Sequence, residues 1–367
     1  MRVSMVVSND LASDQRVLKM CHTLHQWGHQ VHLCGRLRKH SPALPKYPFQ
    51  TQRISLLFES GPLFYIALQC RLFVHLLFSH QDAIHANDLD TLLPAWLVSK
   101  IKGIQLVYDT HEYFTGVPEL SKRPIIRKIW RTVESFIFPR LEKVITVNQS
   151  IAALYEHDYQ VLPKVIRNIP SGQMHVQAVE RKQLQLPDDY FIMVLQGNGI
   201  NVDRGAEEAV AMMQHLENAL LLIIGSGDII QQLKQYVKEY RLENKVRFLP
   251  RMPYSEMLEY TTLCDIGLSL DKDSNINYRY SLPNKLFDYF RAGIPVLVSD
   301  LPEVRKIIEE SGAGLISHSH KPELLAEIIS GLRSDIERLK LLRSKAQQAS
   351  AKYNWDSEVQ CIRAWYQ

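Results

Sequence analysis

Strand-like and helix-like runs alternate along this chain from end to end, and this alternation constrains the fold more than any other feature. Short apolar runs such as RVSMVVS and IQLVYDTH are typical of buried strands. Segments with helical periodicity lie between them, for example residues 15–27, which Gly28 closes. Such alternation predicts mostly parallel sheets that are covered by helices.

The alternation lapses once, between residues 168 and 189, where prolines and a glycine punctuate a polar run. The 367-residue chain is also longer than one typical domain. We therefore predict an α/β protein with two tandem Rossmann-like, doubly wound domains at 1–170 and 189–352, joined by a linker at 171–188.

Composition narrows the class of protein. The net charge of +4 is too small to indicate nucleic-acid binding, and five scattered cysteines without a C-x-x-C pair are typical of reduced thiols in a cytoplasmic protein. The chain begins directly with a strand, so we expect no secretory leader. Charged and helix-breaking residues interrupt the apolar stretch 54–78, which favours a buried or interfacial helix over a membrane span.

Glycines and one arginine follow two strands of the second half. Gly197 and Gly199 end the run YFIMVLQGNG, and Arg204 lies where the next helix is expected to begin. Gly225 ends the following strand in the same way. Amide groups at a helix start together with an arginine form a candidate phosphate site. An ordinary turn with a solvated arginine is the alternative.

The segment SLPNKLFDYFRAGIPVLVSD predicts a helix with one apolar and one polar face, followed by a buried strand. Asn284, Lys285 and Asp288 lie on the polar face. Lys285 and the helix start would attract an anion, and Asp288 can accept hydrogen bonds from ribose hydroxyls. The alternative is that Asp288 pairs with Arg291 on a solvated surface.

Two strand ends in the first half carry polar, titratable residues that are candidates for binding a polyhydroxylated substrate. They are His85, Asn87 and Asp88 after one strand, and Asp109, His111 and Glu112 after another.

No metal site is expected. The four histidines between residues 22 and 32 flank Gly28, which ends their helix, so they do not share one face. Asp271 and Asp273 have the spacing of a metal-binding pair but lie on a polar loop.

Together these motifs resemble the retaining nucleotide-sugar glycosyltransferases of the GT-B fold, family four, along nearly the whole chain. The resemblance is carried by IHANDLDTLLPA, VYDTHEYF, GNGINVDRGAEEAV, LLLIIGSGD and SLPNKLFDYFRAGIPVLVSD, and the PNKLF motif is similar to that of a bacterial subgroup. It implies a cleft between the two domains and a carboxyl-terminal helix, 353–367, that returns to the first domain.

The resemblance also implies residue roles. His111 would contact the transferred sugar, and Arg204 and Lys285 would bind the donor diphosphate as the other catalytic residues. Tyr280 stands where the family has its first acidic residue. The remaining donor contacts are expected at Gly197, Asn198, Gly225, Arg251, Met252, Ser281, Asn284 and Asp288, and acceptor-side contacts at Asp14, Arg16, Asn87, Asp109 and Glu112.

The implied activity is metal-independent, retaining transfer of a sugar from a nucleotide-diphosphate donor to a glycan or lipid-linked acceptor, in bacterial surface polysaccharide or lipopolysaccharide biosynthesis. No cofactor beyond the nucleotide-sugar co-substrate is expected. Two alternatives are an epimerase of the same fold, which needs no acceptor, and a non-catalytic nucleotide-sugar-binding subunit, which Tyr280 favours.

Residues 121–143 predict a basic amphipathic helix, with seven basic and two acidic residues and apolar residues at helical spacing. Such a helix can lie on an anionic bilayer. The alternative is a helix that docks on its own domain with a solvated basic face. We expect a cytoplasmic protein that binds the cytoplasmic face of the membrane peripherally and does not bind nucleic acid.

Overall fold

The computed structural model describes residues 1–12, 14–117, 120, 123–171 and 179–367. These residues form two compact units. Unit 1 comprises Met1–Arg167 and Val359–Gln367, and unit 2 comprises Asn168–Glu358. The chain therefore divides three residues before the predicted end of the first domain, and its last nine residues belong to unit 1.

Unit 1 is built on a seven-stranded sheet with strand order β3-β2-β1-β4-β5-β6-β7, in which all the pairs are parallel. The strands are β1 Arg2–Val6, β2 Gln30–Leu37, β3 Gln50–Ser55, β4 Ala83–Asn87, β5 Gln105–Thr110, β6 Val144–Thr146 and β7 Lys164–Val165. The α-helices are α1 Gln15–Gln26, α2 Gly61–Phe78, α3 Leu89–Lys102, α4 Pro124–Ile137 and α5 Gln149–Tyr159. Short 3₁₀ helices are Phe114–Gly116 and Phe138–Arg140.

Unit 2 is built on a six-stranded parallel sheet with strand order β10-β9-β8-β11-β12-β13. The strands are β8 Phe191–Gly197, β9 Ala219–Gly225, β10 Val246–Leu249, β11 Ile266–Ser269, β12 Val296–Ser299 and β13 Gly314–Ser317. The helices are α6 Ala206–Met212, α7 Ile230–Glu239, α8 Tyr254–Thr262, α9 Ile276–Arg279, α10 Asn284–Arg291, α11 Pro302–Ser311, α12 Pro322–Ser334 and α13 Ile336–Lys352. Arg181–Leu184 and Met213–His215 are 3₁₀ helices.

The prediction of two parallel, doubly wound α/β domains is confirmed. Strands such as β4 and β12 are buried along their whole length, as continuous apolar runs in a covered parallel sheet should be. Since all strands of a parallel sheet point the same way, the polar residues that follow them gather at one edge. Asn87, for example, is the register partner of Asp109 in the neighbouring strand.

The carboxyl terminus differs from the single helix expected at 353–367. A four-residue helix, α14 Trp355–Glu358, ends unit 2, and a 3₁₀ helix, Val359–Tyr366, belongs to unit 1. Val359, Ile362 and Tyr366 are buried. The Tyr366 hydroxyl lies 2.6 Å from Nδ1 of His85, a residue of β4.

Candidate functional site

The ends of β8 and β9 approach each other so closely that one position excludes any side chain. Gly197 and Gly225 are register partners, and the Ser226 amide donates a 3.1 Å hydrogen bond to the Gly197 carbonyl. Gly225 has a φ of 130°, and a Cβ there would lie 1.9 Å from the Gly197 oxygen. Only glycine therefore fits at residue 225, and the backbone of both strand ends stays accessible to a ligand.

A second close approach places Arg204 beside β11. Gly205 has a φ of 79°, and a Cβ on it would lie 2.3 Å from the carbonyl oxygen of Leu270. This contact brings the loop before α6 against the end of β11. As a result, the Arg204 side chain meets Asp271, which follows that strand.

Asp271 holds both cations that the sequence assigns to the donor diphosphate. Arg204 Nη1 donates a 3.0 Å hydrogen bond to Asp271 Oδ1, and Lys285 Nζ lies 3.9 Å from Asp271 Oδ2. The Asp271 carboxylate is buried, and the Lys285 side chain is 12% exposed. Burial lowers the pKa of Lys285, while Asp271 acts in the opposite direction. Burial alone would also lower the pKa of Arg204, but Asp271 raises it above its usual value.

Among the described residues, Arg204 Nε of this cluster is buried without a hydrogen-bond partner, and so is Ser281 Oγ, four residues before Lys285 in the sequence. The Arg204 guanidinium also lies 4.1 Å from the ring centroid of Tyr278, so that the ring restricts its orientation. Buried polar atoms without partners carry a free-energy cost that a bound ligand can remove.

Asp288 is buried on α10 instead of lying on a solvated surface. The Tyr254 hydroxyl donates a 2.7 Å hydrogen bond to Asp288 Oδ1, and Gln196 Nε2 lies 3.5 Å from Oδ2. Thr261 donates a 2.8 Å hydrogen bond to the Gln196 side-chain oxygen and so fixes its amide. Arg291 donates to Tyr254 at 3.5 Å and to the Ser171 carbonyl oxygen at 2.8 Å.

The other expected donor contacts lie at the surface of unit 2. Asn198, Arg251 and Asn284 are exposed, and Met252 is half-buried. Residues 198, 251 and 252 follow β8 and β10, so they lie at the same edge of the sheet as Asp271. These side chains are accessible to a ligand at that edge.

In unit 1, Arg16 and Asp109 are buried partners of each other. Arg16 Nε and Nη2 donate hydrogen bonds of 3.0 and 2.9 Å to the two Asp109 oxygens, and Nη1 donates to the Ile166 carbonyl at 2.8 Å. Burial raises the pKa of Asp109, but Arg16, His85 and His111 together outweigh this effect and hold the pKa well below its usual value. Both side chains are buried and bonded to each other, so this structure does not present them to an acceptor as the sequence analysis expected.

His111 lies between carboxylates and is 19% exposed. Its Nδ1 lies 3.3 Å from Asp88 Oδ2, its amide donates a 3.0 Å hydrogen bond to Asp88 Oδ1, and its Nε2 lies 3.9 Å from Asp109. Burial lowers the pKa of His111, but Asp88 and Asp109 outweigh it and raise the pKa above its usual value. The arrangement therefore favours an imidazolium.

The remaining acceptor-side residues have different environments. Asp14 caps α1 by accepting a 3.1 Å hydrogen bond from the Val17 amide. Asn87 is buried and donates a 2.9 Å hydrogen bond to the Val6 carbonyl, and its Oδ1 has no hydrogen-bond partner in the described part of the chain. Glu112 is exposed. Asn87 is therefore held by the sheet, and Glu112 is accessible.

The sequence analysis missed Asp271 and Tyr254 as members of the site. The sequence analysis treats Asp271 only as a possible metal ligand. However, Asp271 directly follows the buried strand-like run CDIGLSL, just as other site residues follow strands of their own. That position at a strand end was a usable signal. No comparable signal marks Tyr254, because its partner Asp288 is 34 residues away. Within the described residues, no group of three or more His, Cys, Asp or Glu side chains could hold a metal ion.

Two family models match the chain, one in each half. The model described as Glycosyltransferase Family 4 matches residues 14–172, and the model described as Glycosyl transferases group 1 matches residues 176–349. The two matches together cover nearly the whole chain. The chain therefore belongs to the glycosyltransferases that these models describe, and its two units have the GT-B fold.

Known proteins agree with this assignment. The chain is similar to chitobiosyldiphosphodolichol beta-mannosyltransferase from Candida glabrata, with 21% identity over 415 residues that cover 99% of this chain and 90% of the relative. Sucrose-phosphate synthase from Thermosynechococcus elongatus has a similar structure, with a TM-score of 0.81, 17% identity and coverage of 100% and 98%. The Anabaena protein HepE, solved with UDP and glucose, has a TM-score of 0.78 at 15% identity, with coverage of 100% and 99%.

Proposed function

We propose that this chain transfers a sugar from a nucleotide-diphosphate donor, bound at the strand ends of unit 2, to a glycan or lipid-linked acceptor. The cluster of Arg204, Asp271 and Lys285 carries the proposal. It places two cations and one carboxylate at the edge of the sheet where parallel α/β folds bind their ligands. Gly197 and Gly225, whose backbone is accessible, end two strands at this same edge of the sheet.

The charge of the cluster suits a diphosphate. Two cations and one carboxylate leave a net charge of +1, and the carboxylate is buried, so solvent screens the cluster less than it screens surface charges. A bound diphosphate would take up the free donor groups of Arg204 and Lys285, while Asp271 keeps both side chains in position. The same cations would stabilise the charge that develops on the leaving diphosphate.

Asp288 supports the nucleoside half of the proposal. Its carboxylate is fixed by Tyr254 and Gln196. An acidic side chain in a fixed orientation can accept both hydroxyls of a ribose. The exposed Arg251 and the half-buried Met252 are candidates for contacts with the base.

His111 is proposed to stabilise negative charge near the transferred sugar. The support from this structure is the raised pKa caused by Asp88 and Asp109, which favours the charged ring. The contact with the sugar itself rests on the resemblance of VYDTHEYF to the family motif. An imidazolium cannot accept a proton, so in this role His111 would act electrostatically.

The stereochemical outcome has two candidates. Retention is the outcome that the family resemblance implies, with the leaving phosphate oxygen taking the acceptor proton and no metal involved. Inversion is the second candidate, because the relative from Candida glabrata is named a beta-mannosyltransferase and its match covers 99% of this chain. A β-mannoside formed from an α-linked donor is a product of inversion. The anomeric configuration of the product, read by NMR, decides between them.

The biological setting is proposed on resemblance. We propose a role in bacterial surface polysaccharide or lipopolysaccharide biosynthesis, at the cytoplasmic face of the membrane, with association through the basic region 121–143. Residues 121 and 122 lie outside the described residues. Within the rest of that region, α4 exposes Arg127, Lys128 and Arg131.

Calorimetric titration with UDP and GDP tests the donor site. Lys285→Met removes one charge-assisted contact and should weaken binding of the preferred diphosphate about 10- to 100-fold. Lys272→Met is the matched control: Lys272 lies one residue after Asp271, and its Nζ pairs with Glu208 at 2.5 Å and Asp203 at 3.5 Å. The control should bind like the wild type.

Equal affinity of Lys285→Met and wild type would refute the assignment of the diphosphate site. Transfer assays then separate the classes of enzyme. Interconversion of donor sugars without an acceptor would indicate an epimerase, and binding without any turnover would indicate a nucleotide-sugar-binding subunit.

A further inference from the structure

One helix of unit 1 presents an apolar face that the described parts of the protein do not cover. Helix α2 is 18 residues long, and within the described residues it alone is long and apolar enough to cross a membrane, judged by length and composition. Phe64, Leu68, Leu72 and Leu76 pack into the unit along one side of the helix. Most of the helix is not buried.

The opposite side of α2 carries an apolar stripe along its whole length, which we call the α2 stripe. It consists of Leu63, Ile66, Cys70, Val74 and Phe78, all of them exposed, with Leu63, Ile66, Val74 and Phe78 between 52% and 78% exposed. Spacings of three and four residues keep these side chains on one face of a helix. A contiguous exposed apolar surface of this kind marks an interaction site.

Neighbouring helices extend the apolar surface. Helix α3 packs against α2, and α4 packs against α3. The Tyr65 ring of α2 meets the Trp130 ring of α4, with centroids 5.2 Å apart. Ile101 of α3 and Ile125 and Ile129 of α4 are more than half exposed. The three helices therefore form a single outer layer with several apolar side chains in solvent.

The charges on this layer have one sign. Arg71 of α2 and Arg127, Lys128 and Arg131 of α4 are exposed. The three helices contain two carboxylates, Asp90 and Glu134, and both are buried. On these three helices, the outer surface therefore combines apolar and cationic side chains without an exposed carboxylate. An anionic lipid surface matches this chemistry, whereas a second copy of the same surface would bring like charges together.

We propose that α2 lies in the plane of an anionic membrane and inserts the α2 stripe at the boundary between head groups and acyl chains. The cations of α4 then bind anionic head groups. This inference deepens the membrane association proposed above, because it makes α2 the inserted element and gives α4 the electrostatic part. A spanning orientation would strip the buried row of α2 from the core of unit 1, so the helix lies in the plane.

Two natural cysteines allow a direct test on the full-length chain. Cys70 lies in the α2 stripe, Cys361 lies elsewhere in unit 1, both are exposed, and the other three cysteines are buried. Each site is labelled singly with an environment-sensitive fluorophore after replacement of the other by serine. With vesicles of phosphatidylcholine and phosphatidylglycerol, emission from Cys70 should shift to shorter wavelength and emission from Cys361 should not. Vesicle-bound protein without a shift at Cys70 would overturn the proposal.

Substitution gives an independent readout. The triple variant Ile66→Gln, Val74→Gln, Phe78→Gln should reduce the vesicle partition coefficient about tenfold or more. The control, Ile336→Gln with Leu341→Gln on α13, changes residues that are 62% and 58% exposed on unit 2 and should partition like the wild type. Equal partitioning of the triple variant and the wild type would overturn the proposal.

Other outcomes would identify a different occupant. Resistance of the bound wild type to alkaline carbonate extraction would mean that α2 spans the bilayer, and a stripe-dependent dimer without vesicle binding would mean a second copy; both overturn the proposal. The triple variant should still transfer sugar to a short, water-soluble acceptor. Lost vesicle binding with retained transfer therefore separates this inference from the proposed enzymatic function.

Discussion

Glu134 is a buried carboxyl whose ionisation should control the stability of unit 1. It lies on the inner side of α4 and is fully buried. Three hydroxyls donate to it, from Tyr159 at 2.8 Å, Thr115 at 3.3 Å and Tyr155 at 3.4 Å. Burial raises its pKa from 4.5 to about 7, and the hydroxyl groups offset only part of this effect.

The shift determines how stability depends on pH. Below pH 4.5 the carboxyl is protonated in both the folded and the unfolded state, and above about pH 7 it is ionised in both. Between these values the folded state binds more protons, so the free energy of unfolding falls as the pH rises. A shift of this size corresponds to a loss of about 3 kcal/mol across that window.

Glu134→Gln removes the titration and keeps the shape of the side chain. The free energies of unfolding of wild type and variant are measured by urea denaturation at pH 4 and at pH 8.5. Between these pH values, we expect the wild type to lose about 3 kcal/mol of stability relative to the variant. Glu142→Gln, at an exposed position, reports the general effect of removing one negative charge. A difference between wild type and Glu134→Gln that is the same at both pH values would refute the reasoning.

Three further predictions concern the sites. Because Asp88 helps to raise the pKa of His111, Asp88→Asn should move the alkaline decline of kcat/KM to lower pH, and an unmoved profile would contradict the imidazolium role. Tyr254→Phe removes a 2.7 Å hydrogen bond to the proposed ribose-binding carboxylate, so steady-state kinetics should show a donor KM about tenfold higher with little change in kcat. Gly225→Ala should lower the melting temperature, since its Cβ would lie 1.9 Å from a carbonyl oxygen. Gly199→Ala should not, because its Cβ would meet none of the described atoms within 4 Å, and equal melting temperatures of the two variants would contradict the close approach.

The sequence was sufficient to predict the fold because each strand and helix has its own local pattern. Continuous apolar runs and helical periodicity required two parallel sheets, and both are present. The carboxyl terminus was harder to predict, because a single apolar stripe can be formed by an α-helix and a 3₁₀ helix in succession. Trp355 and Val359 are both buried, but they belong to different units.

The sequence was sufficient to predict those site residues that follow a strand or begin a helix. Arg204, which follows β8, and Lys285, at the start of α10, were expected together because the family resemblance assigns both to the donor diphosphate. Pairings between distant residues were not predictable. Arg16 and Asp109 are 93 residues apart, and only the folded sheet shows that they neutralise each other in the interior. The exposure of the α2 stripe was not predictable from the sequence either, because a buried and an exposed apolar helix can have the same composition.

The position of a bound nucleoside diphosphate tests the central claim most directly. Crystals of the protein with UDP or GDP should show the diphosphate within hydrogen-bond distance of Arg204 and Lys285, beside the backbone of Gly197, with the ribose hydroxyls on Asp288. The account would be contradicted by a nucleotide that binds elsewhere at full occupancy while the ion pair of Arg204 and Asp271 keeps the geometry that it has without a ligand.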